Sequence, residues 1–216
     1  SGARYLFTRD GPASGNGIET VSYWNPDDHG DEQPTVQCYH EPIISEDGLN
    51  PSGSRSGVTF ATVVLQPRSR GWVRLADADP TSMPLINPNF IGHEYDLEVG
   101  IKAVKAVRDV MAQRSLAEVI EDEFVPGVAV QTDEEIAAFV KKVATTMWHP
   151  VGTCRMGKVD DPDAVVDAKL KVKGIEGLHV IDASIMPQII SGNTNAPTQA
   201  LARNASKMLV ADYFAA

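Results

Sequence analysis

The chain has 216 residues, enough to bury a core as one large domain or two small ones, and its 43% hydrophobic and 22% charged content is that of an ordinary globular protein. Nineteen Lys and Arg against 29 Asp and Glu leave a net charge of −10, which excludes a non-specific nucleic-acid binder, because neutralising phosphates demands a basic face. No run of apolar residues is long enough for a membrane span. The start, Ser1-Gly2-Ala3-Arg4-Tyr5-Leu6-Phe7, has neither a signal-peptide core nor an initiator Met and reads as cut or processed. Cys38 and Cys154 lack metal-type spacing, so no metal site or disulfide framework is expected, and the setting reads as reducing and cytoplasmic.

Residues 8–35 are rich in Gly, Pro, Asn and Asp, with turn signals at Gly11-Pro12 and Asn25-Pro26. Alternation predicts half-buried strands over 18–24 and 35–40, and after a loop at 45–56 the β-branched run Val58–Leu65 predicts a core strand. Gly71-Trp72-Val73-Arg74-Leu75 reads as the next member of the same antiparallel series. The pattern then changes to helical spacing over 96–111, where Leu97, Ile101, Val104, Val107 and Met111 form an apolar stripe. A second helix starts after Thr132, with Glu135 completing a capping box and Ile136, Phe139, Val140 and Val143 following. Short strands are predicted near Val165-Val166 and over 178–182, then a helix from Pro197 to about Tyr213. That last strand and helix have no sheet of their own to join, so 147–216 reads as completing a sheet made by other sequence.

Three places carry chemistry. His149 lies in the tight segment Trp148-His149-Pro150-Val151-Gly152, and its imidazole is either held by backbone bonds or poised for proton transfer, which a group titrating near neutrality suits. Asn193 and Asn195 form a turn that enters a helix, with a cap expected at Asn195. The same arrangement presents free N–H groups to an anion. Asp182, at the end of a predicted apolar strand and buried-looking, is either a surface strand-end residue or a partner for cofactor hydroxyls.

Taken together, His149–Gly157, Val165-Val166-Asp167, Gly177–Pro187 and Gly192-Asn193-Thr194-Asn195-Ala196-Pro197-Thr198 closely resemble the glucose–methanol–choline oxidoreductases, nearest in motif to the choline dehydrogenase and aryl-alcohol-type branch. The likeness extends to Gly71–Leu75, Asp79-Pro80 and Pro88-Asn89-Phe90, and more faintly further upstream, so it covers nearly the whole chain. It implies an FAD enzyme that oxidises an alcohol to an aldehyde or ketone. In it the residue matching His149 accepts the proton, or stabilises the alkoxide, and the one matching Asn193 faces the same substrate oxygen. It further implies that Asp182 and Ala183 contact the FAD chain and that Thr194, Asn195 and Thr198 lie around the flavin pyrimidine edge. Trp148 is a candidate for the substrate pocket, with core packing as the alternative.

The implied fold is α+β. An antiparallel substrate-domain sheet with flanking helices occupies 1–146, and the closing strand and helix of an FAD-binding domain occupy 147–216. Family members open on a strand–Gly-x-Gly-x-x-Gly–helix unit, and no such unit exists in this sequence. The expectation is therefore a C-terminal portion, active only with an N-terminal FAD-binding partner portion and unable to hold FAD tightly alone. A silent interaction module and a lyase on the same scaffold are the competing readings. Retention of His149, Asn193 and Asn195 disfavours the first, and Asn193 in place of His disfavours the second.

Overall fold

The computed structural model describes residues 2–11, 14–15, 17–18, 20–27, 33–45, 51–52 and 56–214. Pro12 of the first predicted turn and most of the 45–56 loop lie outside them. The chain divides into two compact units, 1–69 with 90–145 and 70–89 with 146–216.

In the first unit, helix α1 (Gly2–Thr8) precedes strands β1 (Thr20–Trp24), β2 (Val36–Glu41), β3 (Ile44–Ser45), β4 (Pro51–Ser52) and β5 (Thr59–Val64). The three longer strands form an antiparallel sheet in the order β1-β2-β5, with Trp24 opposite Val36 and Val36 opposite Val64. Period-2 alternation puts these three residues on one face, where they pack with Tyr95, Val99 and Ala103 of helix α2 (Glu94–Met111). The most buried positions of α2 are Asp96, Val99, Gly100 and Ala103. The predicted stripe of Leu97, Ile101, Val104, Val107 and Met111 is only half-buried. The burial centre is rotated away from that stripe because the helix must meet both the sheet and a second helix, so its covered arc is wider than one apolar row.

Asp96 explains the rotation further. Its carboxylate is fully buried and accepts the backbone N–H groups of Arg68 at 2.7 Å and Ser69 at 2.8 Å, as well as the Ser69 hydroxyl. A buried charge is tolerated only when its lone pairs are satisfied, and here three donors meet it. Helix α3 (Arg114–Ala117) follows. The segment after it is tied back to α2 by Arg108, which makes a bidentate pair with Glu123 at 2.9 and 2.8 Å and also donates to the Val130 carbonyl. Helix α4 (Asp133–Val143) begins at the predicted capping box, Thr132 accepting the Glu135 N–H while the Glu135 carboxylate accepts the Thr132 N–H. Its Ile136 and Val140 are buried, and α4 packs on α2.

The second unit holds strands β6 (Trp72–Arg74) and β7 (Leu85–Asn87), an antiparallel hairpin of its own. The expectation that 71–75 continues the first sheet is therefore corrected: β6 pairs with β7, which alternation over three residues is too short to announce. Gly71 makes the start of this hairpin possible. A side chain there would collide with the Asn87 and Pro88 carbonyls, coming 2.7 Å from the latter.

Beyond Thr146 there is little regular structure before helix α5 (Asn195–Phe214). The strands predicted near 165–166 and over 178–182 do not form. Single bridges occur instead, Met156 with Val166, Val166 with Val172 and Lys171 with His179. β-Branched residues favour a strand only where a neighbour offers a ladder, and no strand lies alongside these segments among the described residues. They still supply a core. Val166, Leu170, Ile185 and Ala205 are buried together, with Met156, Val180, Ile181 and Leu201 around them. Leu201 and Ala205, four apart on α5, are the face by which that helix is held. No described helix is long and apolar enough to cross a membrane.

Candidate active site

His149 sits six residues beyond α4, in a stretch whose path is set from both sides. Before it, Trp148 adopts a left-handed backbone with φ +57°, unusual for a bulky residue, and its N–H donates to the Thr146 hydroxyl at 2.8 Å. After it, Gly152 has φ +88°, a conformation that glycine takes without penalty. The chain then locks onto the 183–186 turn, with Cys154 N–H to the Ser184 carbonyl at 3.0 Å and Met156 N–H to the Ile185 carbonyl at 2.8 Å. Strained backbone held by its surroundings is where a functional side chain gains a fixed direction.

The imidazole meets two side chains from the far end of this unit. The Asn193 amide nitrogen lies 2.8 Å from His149 Nε2, and the Thr194 hydroxyl oxygen lies 3.0 Å from Nδ1. With its nitrogen turned to Nε2, the Asn193 amide donates there, an arrangement that fits the neutral ring whose hydrogen is on Nδ1. Asn193 is exposed, His149 half-buried and Thr194 buried. Burial thus increases from the amide, through the ring, to the hydroxyl behind it.

Thr194 is also the residue from which α5 departs. Its carbonyl accepts the Thr198 N–H at 3.0 Å and the Thr198 hydroxyl at 2.7 Å, so Thr194 and not Asn195 occupies the cap position. The expected cap at Asn195 is corrected accordingly. Asn195 is the first helical residue, and its side-chain oxygen accepts from Gln199 one turn on, at 2.9 Å. The N–H groups of the first turn, at Asn195 and Ala196, have no acceptor within the helix and lie at the positive end of its dipole.

Asp182 is exposed, in line with its reading as a surface residue and against its buried look in the sequence, but the strand it was expected to end does not form. With no strand formed, its carboxylate turns back to accept the Ser184 N–H at 2.8 Å, capping a short 3-10 turn over Ala183–Ile185. Trp148 is 65% exposed, so it does not serve as core packing within this unit. His149, Asn193 and Thr194 are brought into one cluster. Thr198 reaches the cluster through its hydroxyl on the Thr194 carbonyl, whereas the Asp182 carboxylate bonds to Ser184 and the Asn195 side chain to Gln199.

The contact from Thr194 to Nδ1 was not readable as such in the sequence, because a threonine between two asparagines has no spacing signature. Elsewhere, both cysteines are free. Burial pushes the Cys38 thiol up to about 12, far from the thiolate form that reactivity needs. No cluster of three or more metal-ligating side chains occurs among the described residues.

Comparison with known proteins places the chain in a family. The family model described as GMC oxidoreductase matches residues 67–202, which include every member of the cluster. The chain is 39% identical over 206 residues to an alcohol dehydrogenase [acceptor] of Pseudomonas putida, a match covering 95% of this chain and 37% of that protein. It is also 39% identical over 181 residues to the mitochondrial choline dehydrogenase of Mus musculus, covering 83% of this chain and 30% of that one. Among solved structures, a pyridoxine 4-oxidase from Mesorbium loti superposes with a TM-score of 0.81 at 30% identity, over 93% of this chain and 38% of its own. A formate oxidase shares the fold at a TM-score of 0.85 and 24% identity, over 98% of this chain and 41% of its own. The chain spans between 30 and 37% of the length of the two dehydrogenases it matches. From its fold, its matched residues and these relatives, the chain belongs to the GMC oxidoreductase family.

Proposed function

We propose that this chain carries the proton-handling side of an FAD-dependent alcohol-oxidising site, working with a flavin-binding portion of the same enzyme. The 2.8 Å contact between His149 and Asn193, residues 44 apart in sequence, is the observation that carries the reading. The groups on offer fit a flavin. The exposed first turn of α5 gives unpaired N–H groups and a positive dipole end, which suit a ring edge that gains negative charge. On this reading Asn195 and Thr198 border that edge, and Asp182 with Ala183 borders the rest of the cofactor. Bound FAD supplies the hydride acceptor, and the protein supplies position and electrostatics.

The chain's own residues handle the proton. An alcohol hydroxyl displaces the Asn193 amide from His149 Nε2 and donates its hydrogen to that lone pair. As the carbon–hydrogen bond breaks, the proton passes to Nε2. The displaced Asn193 amide donates to the oxygen on which charge develops. Trp148, exposed and held left-handed beside His149, is assigned to the substrate side. Residues 1–146 are read as substrate-binding and 147–216 as the closing part of the FAD-binding domain. The alcohol and choline dehydrogenase names of the relatives support an alcohol as substrate class. The two free thiols support a reducing, cytoplasmic setting.

The test is to produce the chain joined to its flavin-binding portion and add primary alcohols under argon. The yellow flavin spectrum is expected to bleach. A flavin that stays oxidised with aliphatic, aromatic and amino alcohols alike contradicts the reading. The 216 residues alone are expected to retain no stoichiometric flavin, and a stoichiometric yellow complex of this polypeptide overturns the division of labour.

A further inference from the structure

We propose that Thr194 is the positioning residue for His149: its hydroxyl fixes the imidazole in the tautomer whose Nε2 lone pair faces the substrate side. This rests on the reading of His149 as proton acceptor, and it gives Thr194 a different task from the flavin-edge contact that the family resemblance implies.

A neutral imidazole has two tautomers, and only the one protonated at Nδ1 can accept a proton at Nε2. Left to water, both are populated. In this chain Nδ1 faces a buried hydroxyl 3.0 Å away, whereas Nε2 faces an exposed amide that a substrate can displace. Substrate therefore meets Nε2, and the tautomer must be set from the other side.

Thr194 is built to do that. It is 7% exposed, and its carbonyl is held by both the N–H and the hydroxyl of Thr198, so its backbone cannot turn away from the head of α5. Its β-branched side chain has few rotamers open to it. The hydroxyl oxygen thus accepts from Nδ1–H in the resting state. It keeps the same bond when Nε2 takes the substrate proton, since both ring nitrogens of an imidazolium donate. A hydroxyl that serves the ring in both states aligns it before the reaction and needs no rearrangement during it.

The experiment compares the flavin-loaded full-length enzyme with Thr194→Val and Thr194→Ser. Two readouts are taken, nitrogen NMR of isotope-labelled histidine and steady-state kinetics with flavin content measured alongside. The unsubstituted enzyme is expected to show His149 protonated at Nδ1. Thr194→Val should mix the tautomers and lower kcat by about tenfold, the size of one lost hydrogen bond, with flavin content unchanged. Thr194→Ser should restore the single tautomer and most of kcat. The proposal is overturned by an Nε2-protonated His149 in the unsubstituted enzyme, a reading that stands even if Thr194→Val fails to fold. It is equally overturned if Thr194→Val keeps both tautomer and kcat, or if the change appears as lost flavin. Should the unsubstituted enzyme oxidise no alcohol, the functional reading fails while the NMR result still decides the tautomer.

Discussion

The two compact units hold their shape by different means. In the first, backbone ladders and helix packing do most of the ordering. Three antiparallel strands lie under α2, and α4 is capped by a reciprocal Thr132–Glu135 pair. In the second, the stretch from Thr146 to Thr194 is almost free of ladders, and it is placed by scattered single bonds. Cys154 is tied to Ser184, Met156 to Ile185, Val165 to Arg155, Lys173 to Val165 and Val180 to Leu170. The candidate site lies wholly in that irregular stretch and at the head of α5. Irregular backbone can present His149, Asn193 and Thr194 at angles that a strand or helix forbids, provided a packed layer beneath holds it still. The layer around Ile185 and Val166 is that support.

This contrast can be broken at defined points. Asp96→Ala in the first unit should cost most, about 3 kcal/mol or more, because three donors lose a buried charged acceptor. Urea unfolding of the flavin-loaded enzyme measures it, and a loss below about 1 kcal/mol would mean water replaces the carboxylate. Gly152→Ala in the second unit should cost about 1–2 kcal/mol from the left-handed backbone, yet reduce kcat in greater proportion because the His149 segment turns there. Thermal unfolding and turnover on the same sample separate the two effects. Thr132→Ala should cost about 1 kcal/mol through the lost cap and leave turnover unchanged. A drop in kcat for Thr132→Ala would show that the first unit orders the site after all.

The smallest effect sharpens the comparison through pH. Arg155 pairs with Asp161 at 2.8 and 2.9 Å, and together with the Asp163 N–H it holds the Asp161 carboxyl below its ordinary 3.8. A carboxylate whose folded value is depressed stabilises fully above its unfolded value, and that contribution fades as pH falls through the lower folded value. Asp161→Asn should therefore be less stable than the parent at neutral pH, with the gap closing below about pH 3.8. Melting curves at pH 7 and in acid check this, and a gap that persists unchanged in acid contradicts the pairing.

Legibility in the sequence followed the same contrast. Strands β1 and β2 were readable from alternation, β5 from its β-branched run, and α4 because its cap is a local four-residue pattern. The motif around His149 and Asn193 was readable as a family resemblance. What joins its members was not, since the bonds to Nε2 and Nδ1 link residues more than 40 positions apart. Asp96 reads in sequence as an ordinary first-turn acid of a helix, and only the packed fold shows it holding residues 68–69. The run 178–182 has strand composition but pairs with residues 170–172 only through a single bridge, so propensity without an extended ladder gave the wrong element there.

The most direct test of the central claim is the rate of anaerobic flavin reduction by alcohol in the full-length enzyme carrying His149→Ala. Loss of the proton acceptor is predicted to slow that rate by about 10²–10⁴-fold with flavin content retained. A rate within about threefold of the parent's, again with flavin retained, would remove His149 from the chemistry and contradict the account.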